Sequence, residues 1–202
     1  MEIPHSDIYK NIEKNIESFD EDLKMTFSFS EEAAKNLPEV SNEDLETGNE
    51  KYRILLGNIG KQNNEWINVE IKGVLEADLN EKDLFYKEKK EEVSPNLDNI
   101  KKWVKSIQDS APEYKDFNFI GDIHTHPITR ENNLDKNVSP CTPSDKDIED
   151  VIQQYENGNL SLDKPFIFGI AGRRSLEEDT SYAFYRLIKK DGKYVTEQVD
   201  KK

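Results

Sequence analysis

Two periodicities take turns along this chain. Ile8, Ile12, Ile16 and Phe19 recur at helical spacing among charged residues, which predicts an amphipathic helical extension over residues 1–24, docked on the body or free to bind a partner. Residues 25–29 then alternate apolar and polar side chains as a half-buried strand does. Ser30 followed by Glu31 and Glu32 reads as an N-cap with an acidic first turn, opening a short helix that ends before Pro38. From Tyr52 the pattern predicts three strands, over residues 52–59, 66–71 and 73–79, with turn chemistry between the first two over residues 60–64. Residues 80–92 offer only Leu84, Phe85 and Tyr86 for burial and read as an exposed strand end or a mobile loop.

The helical period returns after Ser94-Pro95, where Ile100, Trp103, Val104 and Ile107 fall at i, i+3, i+4 and i+7. Residues 117–123 form a buried-strand candidate that ends in His124 and His126. Ser144 caps a second helix with Ile148, Val151, Ile152 and Tyr155 on one face, which puts Asp147 in its first turn. Residues 166–171 and 182–188 are strand-like, and Asp191-Gly192 is a hairpin turn into Tyr194 and Val195. Strands and helices interleaved in this order predict an α/β fold, a mixed and largely antiparallel sheet flanked by helices, with residues 25–202 as one domain.

Charge narrows the partners. The 42 acidic and 28 basic residues give a formal net charge of -14, which repels phosphate backbones and anionic lipid surfaces, so neither nucleic acid nor membrane is expected as a partner. Cys141 is the only cysteine, so a disulfide-stapled secreted domain is not expected. The first 24 residues lack the apolar run of a signal peptide, and no stretch reaches membrane-spanning length. The expected location is cytoplasmic.

The chemistry concentrates in His124-Thr125-His126-Pro127 and in the Pro143-Ser144-Asp145-Lys146-Asp147 run. Two histidines one residue apart on an extended segment point the same way, and an Asp in the first turn of a following helix can complete a three-ligand zinc set. Such a set leaves the fourth position open for an activated water, which favours hydrolysis over a structural role. Zinc deaminase chemistry is disfavoured, because its Pro-Cys-x-x-Cys pair needs a second cysteine.

Together, His124-x-His126-Pro127 and Ser144-x-x-Asp147 resemble the motif of the JAMM (MPN+) metallopeptidases, over most of the chain. The resemblance implies a sandwich fold related to that of cytidine deaminases. It also implies a Zn²⁺ held by His124, His126 and Asp147, with Ser144 donating to the developing oxyanion. In that family a glutamate ahead of an upstream strand deprotonates the attacking water, and Glu50, before Tyr52-Arg53-Ile54-Leu55-Leu56-Gly57, matches its spacing. Glu46, ahead of Thr47-Gly48, is a second family-like acid, and Asp145 is an alternative carboxylate to Asp147. Arg53 departs from the family's usual glycine. Asp122 is read as alternating away from the histidines, suited to orienting a ligand from behind or to an unrelated hydrogen bond, and His5 lies outside every motif.

The activity so implied is hydrolysis of an amide bond after the tail of ubiquitin or a ubiquitin-like protein, or in a peptide. The alternative is a catalytically silent scaffold of the same fold. Asp147 follows His126 by 21 positions, longer than the family's usual spacing. The inserted residues 128–142 either frame the substrate's path or form a tolerated surface loop.

Overall fold

A computed structural model describes residues 24–63, 66–77, 85–89, 92–127, 138–160 and 164–202. The helix expected over residues 1–24 lies outside them, except Lys24, which opens the first strand. The strands are β1 (Lys24–Phe29), β2 (Tyr52–Asn63), β3 (Trp66–Ala77), β4 (Phe85–Lys89), β5 (Glu92–Pro95), β6 (Asn118–Pro127), β7 (Ile167–Arg173), β8 (Ser181–Lys190), β9 (Lys193–Gln198) and β10 (Asp200–Lys201). The helices are α1 (Glu31–Lys35), α2 (Asn42–Thr47), α3 (Leu97–Ser110) and α4 (Asp145–Glu156).

Eight strands form one mixed sheet in the order β10-β1-β3-β2-β6-β7-β8-β9. Four of its pairings are antiparallel and three parallel, so the α/β expectation holds. The parallel step from β6 to β7 is the one that α4 bridges, and it fixes where a site can form. A parallel pair needs a crossover that leaves the carboxyl end of one strand and returns over a face of the sheet, so the N-terminus of the crossing helix comes to lie near that strand end.

Both faces of the sheet are apolar, each for its own partner. Tyr52, Ile54 and Leu56 of β2 pack with Leu97, Ile100 and Val104 of α3. Phe166, Phe168 and Leu187 pack against Ile148, Val151, Ile152 and Tyr155 of α4. On the opposite face Phe27, Leu55, Val69, Ile71, Ile123, Ile167 and Phe184 form a core closed by Ala33 of α1 and by Leu37. The helical stripes expected around Ile100 and Val151 are these contacts.

Several boundaries differ from the expectations. β3 runs unbroken from Trp66 to Ala77, where two strands are predicted: Lys72-Gly73 looks like a break, but it sits opposite the bulge at Leu56 and Gly57 that absorbs the irregularity. β2 continues to Asn63, through the residues expected to turn. Within residues 80–92, Phe85–Lys89 pairs with Glu92–Pro95 as a two-stranded ladder. Ser94 and Pro95 therefore end a strand, and the side chain of Asn96 caps α3 instead, accepting from the Asn99 amide at 3.3 Å. Helix α2 is absent from the sequence reading altogether.

Candidate metal centre

β6 delivers the histidines. Its start needs Gly121, because a Cβ there would run into the Ile167 carbonyl of the paired strand β7. Beyond it the strand's period of two puts Asp122, His124 and His126 on one face. The expectation that Asp122 alternates away is therefore wrong: two residues is one full period, and the buried Asp122 carboxylate accepts from the Tyr52 hydroxyl on the histidines' own side. Burial pushes Asp122 up to about 6, against the pull of His124 and of that hydrogen bond. The Tyr52 ring lies parallel to the His124 imidazole, centroids 5.7 Å apart.

α4 delivers the carboxylate. Ser144 and Asp147 form a capping box: the Ser144 hydroxyl accepts from the Asp147 amide at 3.2 Å, and the Ser144 amide donates to Asp147 Oδ2 at 2.6 Å. The hydroxyl also donates to Oδ2 at 2.7 Å. An acid at this position is favoured by the unpaired amides and the dipole of the helix start. The cap thus aims the carboxylate before any ligand is considered.

The two deliveries meet. His124 Nε2 lies 3.0 Å from His126 Nε2, 3.1 Å from Asp147 Oδ1, and His126 Nε2 lies 3.3 Å from Asp147 Oδ2. Four atoms with lone pairs converge where, at most, one proton can sit between each pair, an arrangement that a cation resolves. The separations suit a metal: bonds of about 2.0–2.1 Å at tetrahedral angles place donor atoms roughly 3.3 Å apart. His124, His126 and Asp147 could therefore hold a metal ion. Both histidines present Nε2, and the His124 ring is held between Asp147 at that atom and the parallel Tyr52 ring.

Electrostatics agree with that geometry. Burial works against a charged His124, yet the charge and hydrogen bond of Asp147, with Glu50 and Asp122, hold its imidazole up at about 9. Burial likewise opposes a charged Asp147, but the two histidines drive its carboxyl far below the usual range.

Glu50 belongs to this group. Burial raises its carboxyl, His124 and His126 pull it down, and the Asp147 charge pushes it up again, so it feels all three ligand candidates. Glu46 does not share that place: it is exposed on α2, ahead of Gly48, whose left-handed φ of 73° ends the helix. Asp145 is exposed at the first position of α4 and stands outside the cluster, which takes its carboxylate from Asp147. His5 lies outside the described residues.

Three residues beside the site escape the sequence reading: Asp44, Lys51 and Thr125. Asp44 is buried in a second capping box, accepting from the Ser41 amide and hydroxyl, each at 2.6 Å, and from Lys51 Nζ at 2.6 Å. Its signal was available, since Ser41-x-x-Asp44 repeats the Ser144-x-x-Asp147 pattern. The segment between the histidines and α4 is also less superficial than its polarity implies. Of residues 128–142, those from 138 on are described, and there Cys141 is buried against Ile170 and Ala183, while the Cys141 carbonyl accepts from the Tyr185 hydroxyl at 3.0 Å. The Pro140 carbonyl fills the space where Gly172 lacks a side chain.

No protein-family model matches the chain, and no curated protein matches it. Among the described residues no helix is long and apolar enough to cross a membrane.

Proposed function

We propose that this chain is a zinc-dependent peptidase or isopeptidase of the JAMM (MPN+) type, cutting an amide bond after the tail of ubiquitin or a ubiquitin-like protein. The observation that carries the proposal is the convergence of His124, His126 and Asp147 with Glu50 beside them. The fold assigned with it, the family's sandwich, is supported by a mixed sheet with the three donors gathered at the carboxyl end of β6.

His124, His126 and Asp147 would hold the ion through two Nε2 atoms and a carboxylate. Bound there, zinc supplies Lewis acidity to an attacking water and to the amide carbonyl. Glu50 takes the proton that the water loses on attacking the carbonyl, and returns it to the leaving amine as the C–N bond breaks. Its burial suits the task, since a carboxylate that holds its proton more tightly is a better base and can still release it. Ser144 donates to the carbonyl oxygen as negative charge develops, which requires its hydroxyl to turn from Asp147 Oδ2.

Metal titration by calorimetry and elemental analysis, run with an amidase assay on ubiquitin-like fusions, tests the proposal. One zinc per chain, lost in His126→Ala, with turnover that follows zinc content, is the expected result. A protein that takes up no zinc, or takes it up equally in His126→Ala, rules the proposal out.

A further inference from the structure

The β2–β6 ladder stops at the pair Tyr52 and His124. Continued by one residue it would set Lys51 opposite Thr125, and by two, Glu50 opposite His126. In an ordinary antiparallel pair, Lys51 and Thr125 would each donate an amide to the other's carbonyl. Only half of that exchange occurs. The Thr125 amide donates to the Lys51 carbonyl at 2.9 Å, but the Lys51 amide donates to Thr125 Oγ1, at 2.7 Å. A side-chain hydroxyl has replaced the backbone acceptor.

The substitution has a geometric consequence. Thr125 is fully buried on the face opposite its two histidine neighbours, so its hydroxyl holds the Lys51 backbone from behind while the even-numbered residues keep the site face. The Lys51 side chain is held as well, by Asp44 and by the Glu39 carbonyl at 2.9 Å. Lys51 is thus fixed through its amide, its carbonyl and its ammonium group, and it is the residue next to Glu50.

We propose that Thr125 is a positioning residue: its hydroxyl, in place of a backbone carbonyl, ends the ladder and keeps Glu50 in register across from His126. The role rests on the hydrolytic reading given above, with Glu50 as base. It ties the base to the strand that carries the histidines, so the two sides of the site move as one.

Thr125→Val removes the acceptor with little change of shape, Thr125→Ser keeps it, and Thr125→Cys offers a weaker one. All are compared zinc-loaded, with rates expressed per bound zinc. In Thr125→Val, kcat should fall about tenfold to a hundredfold, the cost of misplacing a reacting group by about 1 Å, with KM and zinc content unchanged. Thr125→Ser should restore kcat. Amide hydrogen exchange should show protection lost at Lys51 and kept at Ile54, Leu55 and Leu56, which separates loosening of the base from loss of the fold. If Thr125→Val fails to fold, Thr125→Cys should show the same fall in kcat in milder form.

Unchanged kcat per zinc in a variant that has lost Lys51 protection overturns the positioning role, as does failure of Thr125→Ser to restore it. Wild-type protein that binds zinc and hydrolyses no amide overturns the hydrolytic reading, and this role with it; that failure is seen before any variant is made.

Discussion

The His124 imidazole is caught between burial, which resists its charge, and carboxylates that hold its proton until about 9. A group whose native pKa is raised above its ordinary value of 6.5 stabilises the fold fully below 6.5 and loses that contribution as pH rises through about 9. Metal-free protein should therefore lose stability across that interval. Metal binding needs the neutral ring, so it must displace this proton. Zinc affinity should tighten by about tenfold per pH unit from pH 7 to 9, one proton released per ion. Chelator competition at several pH values checks this; a flat profile means that His124 is not a ligand. At this scale the gathering of His124, His126 and Asp147 was legible, because H-x-H and S-x-x-D spacings are local and their periodicities fix which way the side chains point. Lys51 and Thr125 were not legible, since their roles depend on a pairing between residues 74 positions apart. Asp122 was misread against the very rule that placed His124 and His126.

Among the elements, α4 does two jobs with one residue. Ser144 caps the helix and holds Asp147, and in the proposed reaction it also donates to the oxyanion. Ser144→Gly separates these, because glycine is a tolerated N-cap that costs only a few tenths of a kcal/mol relative to serine. The melting transition should hardly move while kcat per bound zinc falls by about a hundredfold, the usual loss for one oxyanion donor. Unchanged kcat leaves Ser144 a cap alone. Helices α3 and α4 were legible because each presents a clean apolar stripe, around Ile100 and Val151. Helix α2 was not: it has six residues, with Leu45 its only apolar side chain, so its signal lies in the Ser41–Asp44 cap and not in periodicity. The unbroken β3 was hidden by Gly73, whose place opposite a bulge is a property of the pair, not of either strand.

Across the whole molecule, order along the chain was enough to predict a mixed α/β sheet, and not enough to give its strand order. That β1 lies between β10 and β3, parallel to both, follows from long-range contacts between the two ends of the described chain. The same topology brings three separate segments to one point: the turn into β2 with Glu50, the end of β6 with His124 and His126, and the start of α4 with Asp147. Of the two acids that the sequence offered as base, Glu50 stands in the field of that group, while Glu46 is exposed on α2. Turnover of an amide-linked ubiquitin-like fusion by zinc-loaded Glu50→Gln, set beside wild type and Glu46→Gln at equal zinc content, is the deciding measurement. Glu50→Gln should keep its zinc and lose about a hundredfold to ten-thousandfold in rate, the range for removal of a general base, with Glu46→Gln like wild type. Full activity in Glu50→Gln, or a dead Glu46→Gln, would contradict the assignment of Glu50 as the base at a hydrolytic zinc.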